Sequence, residues 1–150
     1  MAKVSILGCG AWGIGIAVLL NNNGHNITMW SAVEKEVEGL KTKRENEVSL
    51  KGVILDEKIK ITSELKEACE DKDIIIMAVA SRFTRQTAAR MKDLVKKGQI
   101  IVNVGKGIEE ATLMTLTEVI EQELPDTVVT VLSGPSHAEE VGRGKPTTCV

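Results

Sequence analysis

Gly8-Cys9-Gly10-Ala11-Trp12-Gly13 stands between an apolar run, residues 4–7, and an apolar helical pattern, residues 14–20. A strand before the three glycines and a helix after them give each glycine a physical task, which a lone triplet would lack. Gly8 permits the tight turn, Gly10 lets backbone approach a pyrophosphate, and Gly13 lets the helix pack on the strand. The helix N-terminus adds free N–H groups and a partial positive charge of about half a unit. The stretch therefore reads as a dinucleotide-binding turn.

Outward from that turn, the chain repeats strand and helix. Strands are expected over residues 3–7, 26–30, 59–62, 73–79, 100–104 and 128–132, with helical patterns between most of them. The alternation predicts an α/β fold of Rossmann type, a doubly wound, mostly parallel sheet with helices on both faces. Only two Trp and one Phe are present, so the core falls to Val, Ile, Leu, Ala and Met. Continuous aliphatic runs such as Ile74-Ile75-Ile76-Met77-Ala78-Val79 suit strands covered on both faces. With 150 residues, 43% of them hydrophobic, the chain is long enough for one core, and residues 1–150 read as a single dinucleotide-binding domain.

Between the elements, Gly24 offers a left-handed cap to the first helix and makes His25 a turn residue. Residues 34–58 are highly charged, with a helix expected over 34–40 and then a solvated surface connection. The closing Pro146-Thr147-Thr148-Cys149-Val150 reads as the beginning of a strand, which suggests a fragment of a longer protein. An uncovered edge and apolar face would then favour a homo-oligomer.

A net charge of −2 supplies no argument for nucleic acid or a membrane surface. Any anion site must be local. Cys9, Cys69 and Cys149 are too scattered for a metal site and odd in number, which suits reduced, buried thiols in a cytoplasmic protein. No apolar run reaches the roughly 20 residues needed to span a bilayer.

In open parallel sheets ligands sit outside the carboxyl ends of the strands. The loops there carry Ala80-Ser81-Arg82-Phe83-Thr84-Arg85, Gly105-Lys106-Gly107-Ile108-Glu109 and Ser133-Gly134-Pro135-Ser136-His137-Ala138-Glu139-Glu140. Ser81 reads as a helix cap. Lys106, flanked by two glycines, can reach a phosphate or carbonyl as a compact cation. Ser136 can cap a helix and bind an anion together.

With the glycine turn and the run ending in Ala80-Ser81, the last two motifs resemble bacterial NAD(P)-dependent glycerol-3-phosphate dehydrogenase, in order over essentially the whole chain. The resemblance implies the amino-terminal cofactor domain, cut before a helical domain that carries the general acid/base lysine. It also implies reduction of dihydroxyacetone phosphate to sn-glycerol 3-phosphate by hydride transfer, for glycerophospholipid synthesis. Cofactor contacts are then expected at Gly8, Gly10, Ala11, Trp12, Gly13, Ser31, Ala32, Ser81, Lys106 and Ala138, and substrate contacts at Lys106, Gly134 and Ser136. No metal is implied. Other readings are another Rossmann dehydrogenase of a 2-oxo or sugar substrate, or, for the 150 residues alone, a non-catalytic nucleotide-binding module.

Against the family pattern, Ala11 replaces a common serine, Ala80 a common proline and His137 a common phenylalanine. Ala32 stands where a basic residue often reads the 2′-phosphate of NADP. Glu34 lies near that strand end without being at its tip. The cofactor is NAD or NADP, with a lean to NAD.

Overall fold

A computed structural model describes the whole chain, Met1–Val150. Six strands form one sheet, β1 (Lys3–Leu7), β2 (Asn26–Trp30), β3 (Lys60–Thr62), β4 (Ile74–Met77), β5 (Ile100–Asn103) and β6 (Val128–Val131). All neighbours are parallel, in the order β3-β2-β1-β4-β5-β6. The doubly wound expectation is met. Four of the strands stop short of the expected limits, by one residue for β3, β5 and β6 and by three for β4.

The side-chain period of two explains why the strands are almost wholly aliphatic. Val4 and Ile6 face one layer, with Ile14 and Ile16 of α1 (Ala11–Asn22) and Val37 and Leu40 of α2 (Glu34–Lys43). Leu7, Ile75 and Met77 face the other, with Ala68 of α3 (Leu65–Cys69), Met91 of α4 (Thr84–Met91) and Ile120 of α5 (Leu116–Glu123). The sixth helix, α6 (Ala138–Gly142), lies along α1. There a Cβ on Gly15 would stand 3.1 Å from the carbonyl oxygen of Ala138.

Gly24 is left-handed, with φ 83°, as expected. The N–H of His25 donates to Leu20 O and that of Gly24 to Asn21 O, the paired bonds of a Schellman stop. His25 is a turn residue whose Nδ1 accepts from the Ala2 N–H at 3.2 Å.

Five local expectations are corrected. The segment after α2 is not a solvated connection, because Leu50, Val53, Leu55 and Ile59 are buried in the α1/α2 core. The charges between them remain at the surface. Ser81 does not cap a helix with its side chain; it begins a 3-10 turn, Ser81–Phe83, that runs directly into α4. Ser136 does not cap α6 either, since His137 occupies that position and makes no side-chain cap bond. Cys9 and Cys69 are buried but Cys149 is exposed. Burial pushes both buried thiols up to about 12, and the Glu36 carboxylate contributes at Cys9. Residues 146–150 form no strand, although Ser133 and Val150 exchange two backbone hydrogen bonds. No helix is long and apolar enough to cross a membrane.

Candidate functional site

Parallel strands end on the same side of the sheet, so the loops after β1, β4, β5 and β6 converge there. Between them opens a groove of about 420 Å³. Gly10, Ala11 and Trp12 line one wall, residues 78–81 and 104–106 the floor and far wall, and residues 136–138 the end nearest α6. Of the expected contacts, Gly10, Ala11, Trp12, Ser81, Lys106, Ser136 and Ala138 therefore come together.

The three glycines of the turn divide by what a side chain would meet. A Cβ on Gly8, at φ 125°, would lie 2.5 Å from Ala78 O, and one on Gly13 would lie 2.1 Å from Gly8 O. At both positions packing requires glycine, and neither residue lines the groove. A Cβ on Gly10 would meet nothing within 4 Å, so the missing side chain leaves space over the start of α1. No side chain caps that helix, and its first N–H groups stay free to bind an anion. Those features fit a dinucleotide pyrophosphate. The Trp12 indole Nε1 is buried and has no hydrogen-bond partner.

Lys106 is exposed, and its Nζ donates to the carbonyl oxygen of Ser136 at 3.3 Å, which joins the loops after β5 and β6. The Ser136 side chain is buried, its Oγ 3.5 Å from Gly134 O. Gly134 is outside the groove lining; at φ 141° it lies against Thr148 and Cys149, where a Cβ would come within 2.8 Å of Thr148 O.

Asn103, which the sequence reading passed over, organises the loop that carries Lys106. Its buried Oδ1 accepts from the Gly105 N–H at 3.0 Å, and its Nδ2 donates to Thr117 Oγ1 at 3.3 Å. It thereby fixes the backbone leading into Lys106. On the far side of the same loop, Glu109 accepts two bonds from Arg85, from Nε to Oε1 and from Nη2 to Oε2, both 2.7 Å. Arg85 Nη1 reaches Glu123 at 2.7 Å, and Thr112 Oγ1 donates to Glu109 at 2.6 Å. The guanidinium, with help from Thr112, holds the Glu109 carboxyl down to about 2, and the two carboxylates raise Arg85.

Ser31 and Ala32 lie outside the groove lining, at the end of β2. Ser31 is buried and donates its hydroxyl to Glu36, while Ala32 is exposed. Asn46 Nδ2 donates to Cys9 O at 3.1 Å and lies 3.4 Å from Glu36 Oε1. Neither Glu36 nor Asn46 was expected here, because both come from the charged segment read as a solvated face.

A family model described as the N-terminus of NAD-dependent glycerol-3-phosphate dehydrogenase matches residues 3–150. The glycerol-3-phosphate dehydrogenase [NAD(P)+] of Fusobacterium nucleatum is 54% identical over 152 residues, covering all of this chain and 45% of that protein. The protein of the same name from Agathobacter rectalis is 51% identical, again over 100% of this chain and 45% of its own length. Among solved structures, glycerol-3-phosphate dehydrogenase from Coxiella burnetii superposes with a TM-score of 0.92 at 30% identity, over 99% of this chain and 45% of that one. The chain thus spans under half the length of the relatives it matches.

Proposed function

Because the chain belongs to the NAD-dependent glycerol-3-phosphate dehydrogenase amino-terminal family, we propose that it is the cofactor half of an enzyme that reduces dihydroxyacetone phosphate to sn-glycerol 3-phosphate. The observation that carries this reading is the convergence of the open Gly10 cradle, the uncapped start of α1 and Lys106 on one groove. The bound dinucleotide, NAD or NADP, supplies the hydride. Backbone N–H groups at Ala11 and Trp12 hold its pyrophosphate. Ser81 and Ala138 would contact it from the groove, and Ser31 and Ala32 would contact its adenosine part.

Lys106 is the only groove-lining cation on the loop after β5, and its ammonium neutralises oxygens shared by cofactor and substrate. Gly134 and Ser136 present the loop after β6 to the substrate, with Ser136 already tied to Lys106 through its carbonyl. A helical second domain supplies the general acid/base lysine and excludes water. On this reading residues 1–150 are one dinucleotide-binding domain, inactive by themselves. They work in the cytoplasm toward glycerophospholipid synthesis. Val128 and Val131, each about half exposed along β6, leave an apolar edge through which the 150-residue chain self-associates.

The test is turnover of dihydroxyacetone phosphate by the full-length protein, followed through NADH or NADPH absorbance. Oxidation that depends on this substrate supports the proposal. Equal or faster oxidation with 2-oxo acids or nucleotide sugars overturns it in favour of another Rossmann dehydrogenase. Light scattering on the 150-residue chain checks the association, and a monomer mass removes that part.

A further inference from the structure

The rim of the groove is cross-linked from loop to loop. Lys106 ties the loop after β5 to the backbone after β6, and Arg85 ties the same loop to the start of α4. Arg85 spends four of its five N–H groups in doing so. Its Nε and Nη2 grip the two oxygens of Glu109, and its Nη1 reaches Gln122 at 3.1 Å and Glu123 at 2.7 Å, at the end of α5. The guanidinium is thus anchored on both helices while it holds the loop.

Glu109 in turn governs where Lys106 can stand. Ile108 and Thr115 form an antiparallel bridge, the Glu109 N–H donates to Met114 O at 2.9 Å, and the Leu113 N–H donates to Glu109 O at 2.8 Å. The turn over residues 109–114 is therefore a closed unit, which Arg85 clasps by the Glu109 carboxylate. Before Lys106, the Gly105 N–H is held by Asn103 Oδ1 at 3.0 Å. Between these fixed points lie only Lys106, Gly107 and Ile108, all exposed, and none of their N–H groups donates to a backbone carbonyl. Gly107 makes the bend at φ 121°. A span so short, with no backbone bonds of its own, takes its position from its two ends.

We propose that Arg85 is a positioning residue for the reaction: by gripping Glu109 it sets the far end of that span and so aims the Lys106 ammonium into the groove. The inference rests on the reading of the groove as the site of dihydroxyacetone phosphate reduction. Arg85 lines no part of the groove, and Glu109 faces a neighbouring hollow of about 360 Å³ with Ser81 and Arg82. Both residues therefore act through the loop and not on the reactants. The pair differs from an incidental surface bridge in two respects. Its side chains are only 32% and 18% exposed, and its contact is a two-bond fork that a lysine could not make. The guanidinium also keeps Glu109 ionised far below neutral pH, so the grip persists there.

The experiment is steady-state kinetics of the full-length protein with dihydroxyacetone phosphate and reduced cofactor. The variants are Arg85→Gln, Arg85→Lys and Glu109→Gln, each alone and combined with Lys106→Ala. Arg85→Gln and Glu109→Gln are expected to lower kcat/KM by about 10- to 100-fold, the cost of misplacing a charge-stabilising group by roughly 1 Å. Arg85→Lys keeps the charge without the fork and should stay within about threefold of Arg85→Gln. In the Lys106→Ala background the same substitutions should change kcat/KM by less than about twofold, because the group they position is gone. A general loosening of the fold would instead lower both backgrounds alike. Thermal melts establish that each variant is folded at the assay temperature, and Glu109→Gln, which keeps the side-chain shape, serves if Arg85→Gln does not fold.

A kcat/KM within about twofold of wild type in folded Arg85→Gln or Glu109→Gln overturns the proposal, and so does an equal loss with and without Lys106. Recovery to wild type by Arg85→Lys overturns it as well, since charge alone would then suffice. In each of those cases wild-type turnover of dihydroxyacetone phosphate still stands. If folded wild type does not turn over this substrate, the reading of the groove falls and this inference with it.

Discussion

Lys106 Nζ donates to Ser136 O across 3.3 Å, so the cation of one rim loop is held by the backbone of the next. The bond leaves the ammonium two further donors for oxygens in the groove. Because Lys106 is exposed, Lys106→Ala should leave stability within about 0.5 kcal/mol of wild type. In the full-length enzyme kcat/KM should fall by about 10²- to 10³-fold, the usual effect of removing one preorganised charge-stabilising donor. Steady-state kinetics beside a thermal melt checks both halves of the statement.

Gly10 and Gly13 should fail in opposite ways. Gly10→Val adds a side chain in open space and should change stability by no more than about 1 kcal/mol while abolishing nucleotide binding. Gly13→Ala places Cβ against Gly8 O and should destabilise by about 3 kcal/mol or more. Thermal melts with and without NADH separate the two, since only the Gly10 variant should melt normally and fail to respond to cofactor.

Asn103→Ala removes the acceptor for the Gly105 N–H and the donor to Thr117. A buried pair of this kind should cost about 1–3 kcal/mol, read as a lower urea midpoint. The loop carrying Lys106 loosens with it, so KM for the phosphorylated substrate should rise more than that for cofactor.

The Arg85–Glu109 pair predicts a particular acid response. The folded-state pKa of Glu109 is depressed to about 2 from the ordinary 4.5, so its contribution is fully present above 4.5 and is lost as pH falls from 4.5 toward 2. Melts of wild type and Glu109→Gln should differ at pH 7 and converge across that window. A constant difference down to pH 2 would show that the pair is not linked to folding.

The parallel sheet, both helical layers and the groove were legible because they follow from periodicity and from glycines whose task is set by their flanks. Ser81 and Ser136 were misread as caps because capping depends on where a helix starts to within one residue. A 3-10 turn begins at Ser81, and α6 begins one residue beyond its His137 cap. Asn103 ended an aliphatic run and differed from a loop residue only by being buried. Glu36 and Asn46 were hidden for another reason. Asn46 acts through partners ten residues or more away, Glu36 and Cys9, and Glu36 folds back on Ser31 across the strand end, and no regular spacing reports such pairs.

The central position of β1 governs the order in which the site can come into being during synthesis. The glycine turn is made well before its floor, since the Lys3 N–H bonds Asp73, seventy residues later, and Gly8 lies on the backbone of Ala78. The turn therefore leaves the ribosome long before its floor exists, with Val4, Ile6 and Leu7 waiting for β4. Contacts of such long range close slowly. β2 can cover one edge of β1 early, but the other edge stays open until β4 is made, so the nascent chain carries a half-paired aliphatic strand for that interval.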